Sequence, residues 1–144
     1  MKILAYLTFG GNCREAMEFY KDCLGGELTL QTLGDSPLSD KLPEKMKKAV
    51  LHAALVRGDL TLLATDMVSV RGLMRGNSVS LMLDCDSEIE IRECYEKLAQ
   101  GGTKTHPLET TFWGALFGDL TDQFGNQWLL HFGVTNGASD EWGE

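Results

Sequence analysis

The fold of this chain is decided by ILAYLTF at residues 3–9 and NCREAMEFYKDCLGG at 12–26, which return as SVSLMLDC at 78–85 and SEIEIRECYEKLAQGG at 87–102. The second Gly-Gly pair follows the first after 76 residues. Each copy is typical of a β-strand and an α-helix that ends at Gly-Gly, followed by further strands. A repeat of this length is a supersecondary unit, so we expect two pseudo-equivalent sheets with a ligand cavity at the seam.

Hydrophobic patterns predict βαβββ twice, which is an α+β fold with eight strands and two helices. Asn12 and Ser87 are predicted helix N-caps, with Glu15 and Glu90 completing capping boxes. The result is one domain over 1–144, made of two modules at about 1–66 and 78–133. The predicted strands and hairpins cover 2–9, 27–33, 49–66, 78–85, 103–110 and 113–132.

The first copy contains an insertion that the second lacks. The turn glycines Gly58 and Gly125 are 67 residues apart, whereas the Gly-Gly pairs are 76 residues apart. The first copy therefore carries about nine extra residues between these points, and they fit in the polar stretch 34–48. We expect a short helical turn at 43–48, in a segment that is either a lid, a dimer contact or a plain surface loop. The polar tail 133–144 is expected to fray.

Charge and cysteine usage limit the possible partners. The net charge of −8 and the pI near 4.8 argue against nucleic acid and anionic membranes as partners and permit a cationic ligand. No apolar run reaches about 20 residues, and we expect residues 1–11 to form a first strand rather than a secretory signal. The four cysteines have no zinc-site spacing and are expected to be buried, reduced thiols of a cytoplasmic protein. They are Cys13, Cys23, Cys85 and Cys94.

Three polar side chains are candidates for ligand contact. His52 lies mid-strand and is either a ligand contact or general base, or a half-buried sheet histidine. His131 is either a displaced metal ligand or a polar contact at the cavity mouth. Asp66, at the end of the fourth strand, either caps the following turn or contacts a ligand. We expect His106, beside Pro107, to be structural or exposed.

An aromatic cluster marks the last hairpin. Trp113 and Phe117 share a strand face by alternation, and Trp128 follows on the last strand. These rings either stack on a flat or cationic ligand or pack in the core. Asp122 is expected to bind its own backbone in the turn.

Three segments together resemble one known superfamily: YLTFGGNCREAMEFYKDCLGGEL at 6–28, LLATD at 62–66 and TTFWGALFGDLTDQFGNQW at 110–128. The chain is similar to the vicinal oxygen chelate (glyoxalase/bleomycin resistance/dioxygenase) superfamily. Within it, the chain resembles the PhnB-like branch, whose members often carry a 3-demethylubiquinone-9 3-methyltransferase label. The resemblance implies a half-barrel of paired βαβββ units around a cavity, and a homodimer. It lends no support to methyl transfer, because the chain has no glycine-rich strand-to-helix turn.

The resemblance also locates the superfamily's metal-ligand positions. Metal-dependent members hold one divalent ion with four cavity side chains, and three of these positions fall here on Ala5, Val79 and Leu129. The fourth lies in LTLLATD, where no residue before Asp66 can bind a metal. Divalent ions need imidazole, carboxylate or thiolate donors, so we expect no metal cofactor.

The expected function is therefore a metal-free protein that binds a small molecule in an apolar, aromatic cavity. One alternative is a metal-dependent lyase, isomerase or dioxygenase with a non-standard site that uses His52 and His131. The other is a structural or regulatory dimer with a vestigial cavity. Fold resemblance alone does not decide among them.

Overall fold

The computed structural model describes residues 1–133, so the tail predicted to fray lies almost wholly outside the described residues. The chain forms two compact units, the first over Met1–Met74 and the second from Arg75 onward. The elements are β1 (Ala5–Thr8), α1 (Cys13–Leu24), β2 (Glu27–Thr32), α2 (Glu44–Lys47), β3 (Val50–Arg57), β4 (Leu60–Thr65), β5 (Leu81–Asp84), α3 (Glu88–Ala99), β6 (Thr103–Thr110), β7 (Ala115–Thr121) and β8 (Gln127–Gly133).

Both units have the same sheet topology. The strand order is β1-β4-β3-β2 in the first and β5-β8-β7-β6 in the second. In each unit the first strand pairs parallel with the last, and the other pairs are antiparallel. The α+β class and the two βαβββ modules are thus confirmed, while their union in a single domain stays a prediction.

One helix covers one face of each sheet. Alternation along the strands separates a buried set of side chains on the helix-covered face from a more exposed set on the other. Leu55 pairs with Leu62 in the first unit and Leu120 with Trp128 in the second, and all four are buried. The helices contribute the buried residues Cys13, Ala16, Met17, Tyr20, Cys23 and Leu24 from α1, and Ile91, Cys94, Tyr95, Leu98 and Ala99 from α3.

The two helix starts differ from each other. At α3 the prediction is confirmed, because the Ser87 hydroxyl accepts the backbone N–H of Glu90 at 3.1 Å. At α1, Asn12 is the N-cap residue as predicted, but its side chain makes no capping hydrogen bond. The carboxylate of Asp66, the residue directly after β4, takes that role.

The insertion folds as short helical pieces. Two 3-10 turns at Leu33–Asp35 and Ser39–Lys41 precede α2, which confirms the helical turn predicted at 43–48. Its role as a lid or dimer contact stays a prediction. No helix within residues 1–133 is long and apolar enough to cross a membrane.

All four cysteines are buried, as predicted. Burial, followed by the negative charge of Asp66, raises the pKa of the Cys13 thiol to about 12. A thiol with such a pKa is protonated at neutral pH, which fits a packing role for Cys13.

Candidate functional site

The α3-opposed face, which is the face of the second sheet away from α3, carries most of the titratable side chains of interest. Strand register places its residues in two rows that cross the sheet. One row is Glu109, Phe117, His131 and Asp84, and the neighbouring row is His106, Asp119, Leu129 and Met82.

His131 and Asp84 form an imidazole–carboxylate pair on this face. The two residues are register partners across β8 and β5, and His131 Nδ1 lies 2.9 Å from Asp84 Oδ1. The histidine is only 1% exposed, whereas the Asp84 side chain is 59% exposed. A carboxylate on Nδ1 fixes the ring orientation and the tautomer of a histidine. The pair therefore holds the imidazole in one position and leaves a carboxylate at the surface.

A second such pair joins His106 and Asp119. His106 Nδ1 lies 3.0 Å from both carboxylate oxygens of Asp119, and the histidine side chain is mostly exposed, as predicted. The β6 register shifts around this histidine, where Pro107 lacks a backbone N–H. Tyr95 supports the irregular stretch, because its hydroxyl lies 2.9 Å from the His106 carbonyl and 3.0 Å from the Asp119 carbonyl. Burial raises the pKa of Tyr95, so the hydroxyl stays protonated and able to donate.

The α1-opposed face, which is the face of the first sheet away from α1, carries two aromatic rings at its centre. Tyr6 and His52 lie on it with ring centroids 6.2 Å apart, tilted by 42°. His52 is half-buried and Tyr6 is exposed. Next to them, Leu63 pairs with Tyr6 on one side and with Ala54 on the other. This arrangement places one tyrosine and one imidazole side by side on the face.

Asp66 has a structural position in the fold. Its Oδ1 accepts the backbone N–H groups of Gly11 and Cys13, each at 2.9 Å, and its Oδ2 accepts that of Val50 at 2.8 Å. The carboxylate thus caps the start of α1 and ties it to β3. Because both oxygens are engaged in these bonds, we leave Asp66 out of the ligand site proposed below.

The aromatic candidates have three different surroundings. Phe117 lies on the α3-opposed face, in register with His131. Trp113 lies in a turn before β7, where the Thr111 N–H donates to the Ala115 carbonyl at 2.7 Å. Because Trp113 is outside the strand, the predicted alternation with Phe117 does not extend to it. It is 49% exposed and forms an edge-to-face pair with the exposed Phe112.

Trp128 lies on the α3-covered face and is 3% exposed. Its indole N–H donates to Asp122 Oδ2 at 2.8 Å. Asp122 Oδ1 also accepts the backbone N–H groups of Phe124 and Asn126, which confirms the predicted turn role. Trp128 is thus packed in the core, and this burial argues against direct contact with a ligand.

Two of the metal-ligand positions inferred from the resemblance need correction. Ala5 pairs with the buried Leu62 and so lies on the α1-covered face. Val79 precedes β5, which begins at Leu81. Neither residue therefore lies on a helix-opposed face: Ala5 is one residue out of register with Tyr6, and Val79 lies before the strand.

Leu129 does lie on the α3-opposed face, where it pairs with Met82. The same pair of positions in the first unit, on β1 and β4, is occupied by Tyr6 and Leu63. In neither unit does this pair of positions contain an imidazole, carboxylate or thiolate, so the residues that each unit provides there do not fit the superfamily's divalent ion. Within residues 1–133, no three His, Cys, Asp or Glu side chains are grouped so as to hold a metal.

Sequence reasoning missed Asp84 and Asp119 as neighbours of the candidate histidines. Strand alternation predicts that Leu129 and His131 share one face of β8. No local sequence pattern indicates that β5 is the neighbour of β8. Only the parallel pairing of β5 with β8 brings Asp84 to His131.

Comparison with known proteins gives consistent results. Residues 2–130 match the family described as the Glyoxalase/Bleomycin resistance protein/Dioxygenase superfamily. The chain is 30% identical over 141 residues to Protein YjdN of Escherichia coli strain K12, and the match covers 91% of this chain and 95% of YjdN.

Two solved structures are similar along nearly the whole chain. Protein PA1353 of Pseudomonas aeruginosa is 38% identical with a TM-score of 0.80, covering 92% of this chain and 97% of PA1353. The PhnB protein of Bacillus cereus, whose name includes 3-demethylubiquinone-9 3-methyltransferase, is 26% identical with a TM-score of 0.73, covering 92% of this chain and 99% of PhnB.

Proposed function

Since the chain belongs to the Glyoxalase/Bleomycin resistance protein/Dioxygenase superfamily, we propose that it binds a small organic molecule without a metal ion. The observation that carries this proposal is the composition of the four equivalent positions on the two helix-opposed faces. They hold a tyrosine, two leucines and a methionine, namely Tyr6, Leu63, Met82 and Leu129. Such side chains offer apolar contact in place of the donors that a divalent ion requires.

The α3-opposed face supports a basic ligand with an aromatic or apolar body. Phe117, Leu129 and Met82 give it an apolar centre, and the carboxylates of Asp84 and Glu109 lie at the two ends of the row through Phe117. A protonated amine is attracted both by carboxylates and by the face of an aromatic ring.

The charge of the chain also favours a cationic ligand at the second sheet. Residues 1–74 contain nine Lys and Arg and nine Asp and Glu, whereas residues 75–144 contain four and twelve. The whole net charge of −8 therefore belongs to the second half, which contains the α3-opposed face. A potential of this sign raises the encounter rate with cations.

The proposal is tested by titrating the protein with aromatic amines, each paired with the uncharged alcohol of the same ring, by calorimetry at pH 7. We expect the amine to bind more tightly than the alcohol, with the same affinity in EDTA as after loading with Zn, Ni, Co, Mn or Fe(II). Phe117→Ala and Asp84→Asn should each weaken amine binding by about tenfold, or about 1.4 kcal/mol. Asp59→Asn, in the exposed β3–β4 turn, is the matched control and should leave the affinity unchanged.

The alternative functions give different results in this experiment. Binding or turnover that EDTA abolishes, and that requires His52 and His131, would support the metal-dependent enzyme and contradict the proposal. Absence of any binding together with a stable homodimer would support the structural alternative. Equal binding of amine and alcohol would reject the cationic ligand and retain the apolar site.

A further inference from the structure

Two buried thiols of the second unit lie side by side, one at the end of a strand and one on the helix that covers it. Cys85 directly follows β5, and Cys94 is in the middle of α3. The Cys94 side chain hydrogen-bonds the Cys85 thiol. The two residues are 6% and 7% exposed. Cys85 is held in place, because its backbone N–H donates to the His131 carbonyl at 2.8 Å.

The internal repeat indicates that packing alone does not require cysteine at these two positions. Phe9 is the equivalent of Cys85. The backbone N–H of Phe9 donates to the Thr65 carbonyl of β4, and that of Cys85 donates to the His131 carbonyl of β8. Phe19 is the equivalent of Cys94, because it precedes the buried Tyr20 as Cys94 precedes the buried Tyr95. The same fold thus accepts two phenylalanines in one unit and has two adjacent thiols in the other.

The remaining cysteines provide an internal comparison. Cys13 and Cys23 lie on α1 ten residues apart, which is about 15 Å along a helix. Disulfide geometry requires Cα atoms within about 7 Å, so these two cannot pair with each other while α1 is folded. Of the two cysteine pairs within a unit, only that of the second unit consists of side chains in hydrogen-bond contact.

We propose that Cys85 and Cys94 form a reversible intramolecular disulfide, with a low-molecular-weight disulfide as the oxidant. One protein thiolate attacks a sulfur of the oxidant and releases one small thiol. The other then attacks the mixed disulfide, releases the second small thiol and closes the protein disulfide. Two electrons pass from the protein to the oxidant, and the two cysteine protons are carried off with the released thiols.

Burial makes this site slow and selective. The hydrogen bond with Cys94 and then desolvation raise the pKa of Cys85, so little thiolate is present at neutral pH and oxidation is expected to need local opening at α3. Once a mixed disulfide forms, the neighbouring thiol resolves it intramolecularly. The bond would tie α3 to the strand that carries Asp84, the residue before Cys85.

The test is to incubate the native protein with oxidised glutathione, take the intact mass, then block the remaining thiols with N-ethylmaleimide in denaturant and digest with trypsin. Cleavage after Arg92 separates the two cysteines, so a disulfide is seen as two linked peptides. We expect two of the four thiols to be lost, a mass lower by two hydrogen atoms, no covalent dimer, and full recovery with dithiothreitol. Cys23→Ser should give the same linked peptides, and Cys94→Ser should give none.

Three results would overturn the proposal: four free thiols after native oxidation, a link between other cysteines, or a disulfide between two chains. If Cys94→Ser does not fold, the peptide map of the unmodified protein still decides. Because this experiment involves no ligand, its outcome is independent of the proposed function.

Discussion

Asp66 connects three separate pieces of backbone through one buried carboxylate. It accepts hydrogen bonds from Gly11, Cys13 and Val50, which belong to the loop before α1, to α1 itself and to β3. The start of α1 therefore depends on a residue more than fifty positions away rather than on Asn12. Charge-assisted bonds of this kind are the strong class of protein hydrogen bonds.

Replacing Asp66 by asparagine should destabilise the protein. The amide can accept at only one of its two terminal atoms, so its NH₂ group would face a backbone N–H. We expect the free energy of unfolding to fall by about 2–4 kcal/mol, measured by urea denaturation at pH 7. Asp59→Asn is the control and should change it by less than about 0.5 kcal/mol. A loss for Asp66→Asn no larger than that of the control would show that the carboxylate does not hold the helix start.

At the scale of elements, the repeated Gly-Gly pairs explain how each helix returns to its sheet. A Cβ on Gly26 would lie 2.7 Å from the Val56 carbonyl oxygen, and a Cβ on Gly102 would collide with the Thr121 carbonyl oxygen. Val56 and Thr121 lie near the ends of equivalent strands, β3 and β7. The second glycine of each pair thus permits a close backbone approach, and Gly25 and Gly101 supply the positive φ at the helix end.

Gly102→Ala should therefore destabilise the second unit, because the atoms it would meet are backbone atoms that cannot turn aside. We expect a loss of about 1–3 kcal/mol in the free energy of unfolding. Gly76→Ala is the matched control, since nothing lies within 4 Å of its Cβ and its φ is not positive. Equal stability of the two variants would contradict the close-approach explanation.

At the scale of the whole molecule, the two copies have kept one topology and differ in charge. The first half is neutral and the second carries all of the net charge of −8. Phe117 is the equivalent of His52 in the second unit. His52 lies on β3 and pairs with Gln31 of β2, and Phe117 lies on β7 and pairs with Glu109 of β6. Both helix-opposed faces thus carry an aromatic ring, and the α3-opposed face adds the carboxylates of Asp84 and Glu109 in the row through Phe117.

This charge distribution predicts a salt dependence for the proposed ligand. The association rate of an aromatic amine should fall several-fold between about 10 mM and 500 mM salt, because the Debye length shrinks from about 30 Å to less than 8 Å. The uncharged alcohol of the same ring should change little. Stopped-flow fluorescence with the amine and alcohol in parallel measures this, and equal salt dependence for both would reject electrostatic attraction by the second half.

The sequence by itself determined the repeat, the α+β class, the start of α3 and the short helical turn in the insertion. These features depend on local signals: hydrophobic period, Ser87 as a cap, and Gly-Gly at the helix ends. It also predicted that His52 and Phe117 lie in strands, which the structure confirms.

Only the tertiary structure decided which residues meet and which face each one occupies. The pairing of β5 with β8 brings Asp84 to His131, and β4 delivers Asp66 to α1. A single residue of register also separates Ala5, on the α1-covered face, from Tyr6 on the opposite one. The physical reason is that alternation gives each strand two faces, whereas the choice of partner strand and of the buried face depends on contacts between distant parts of the chain.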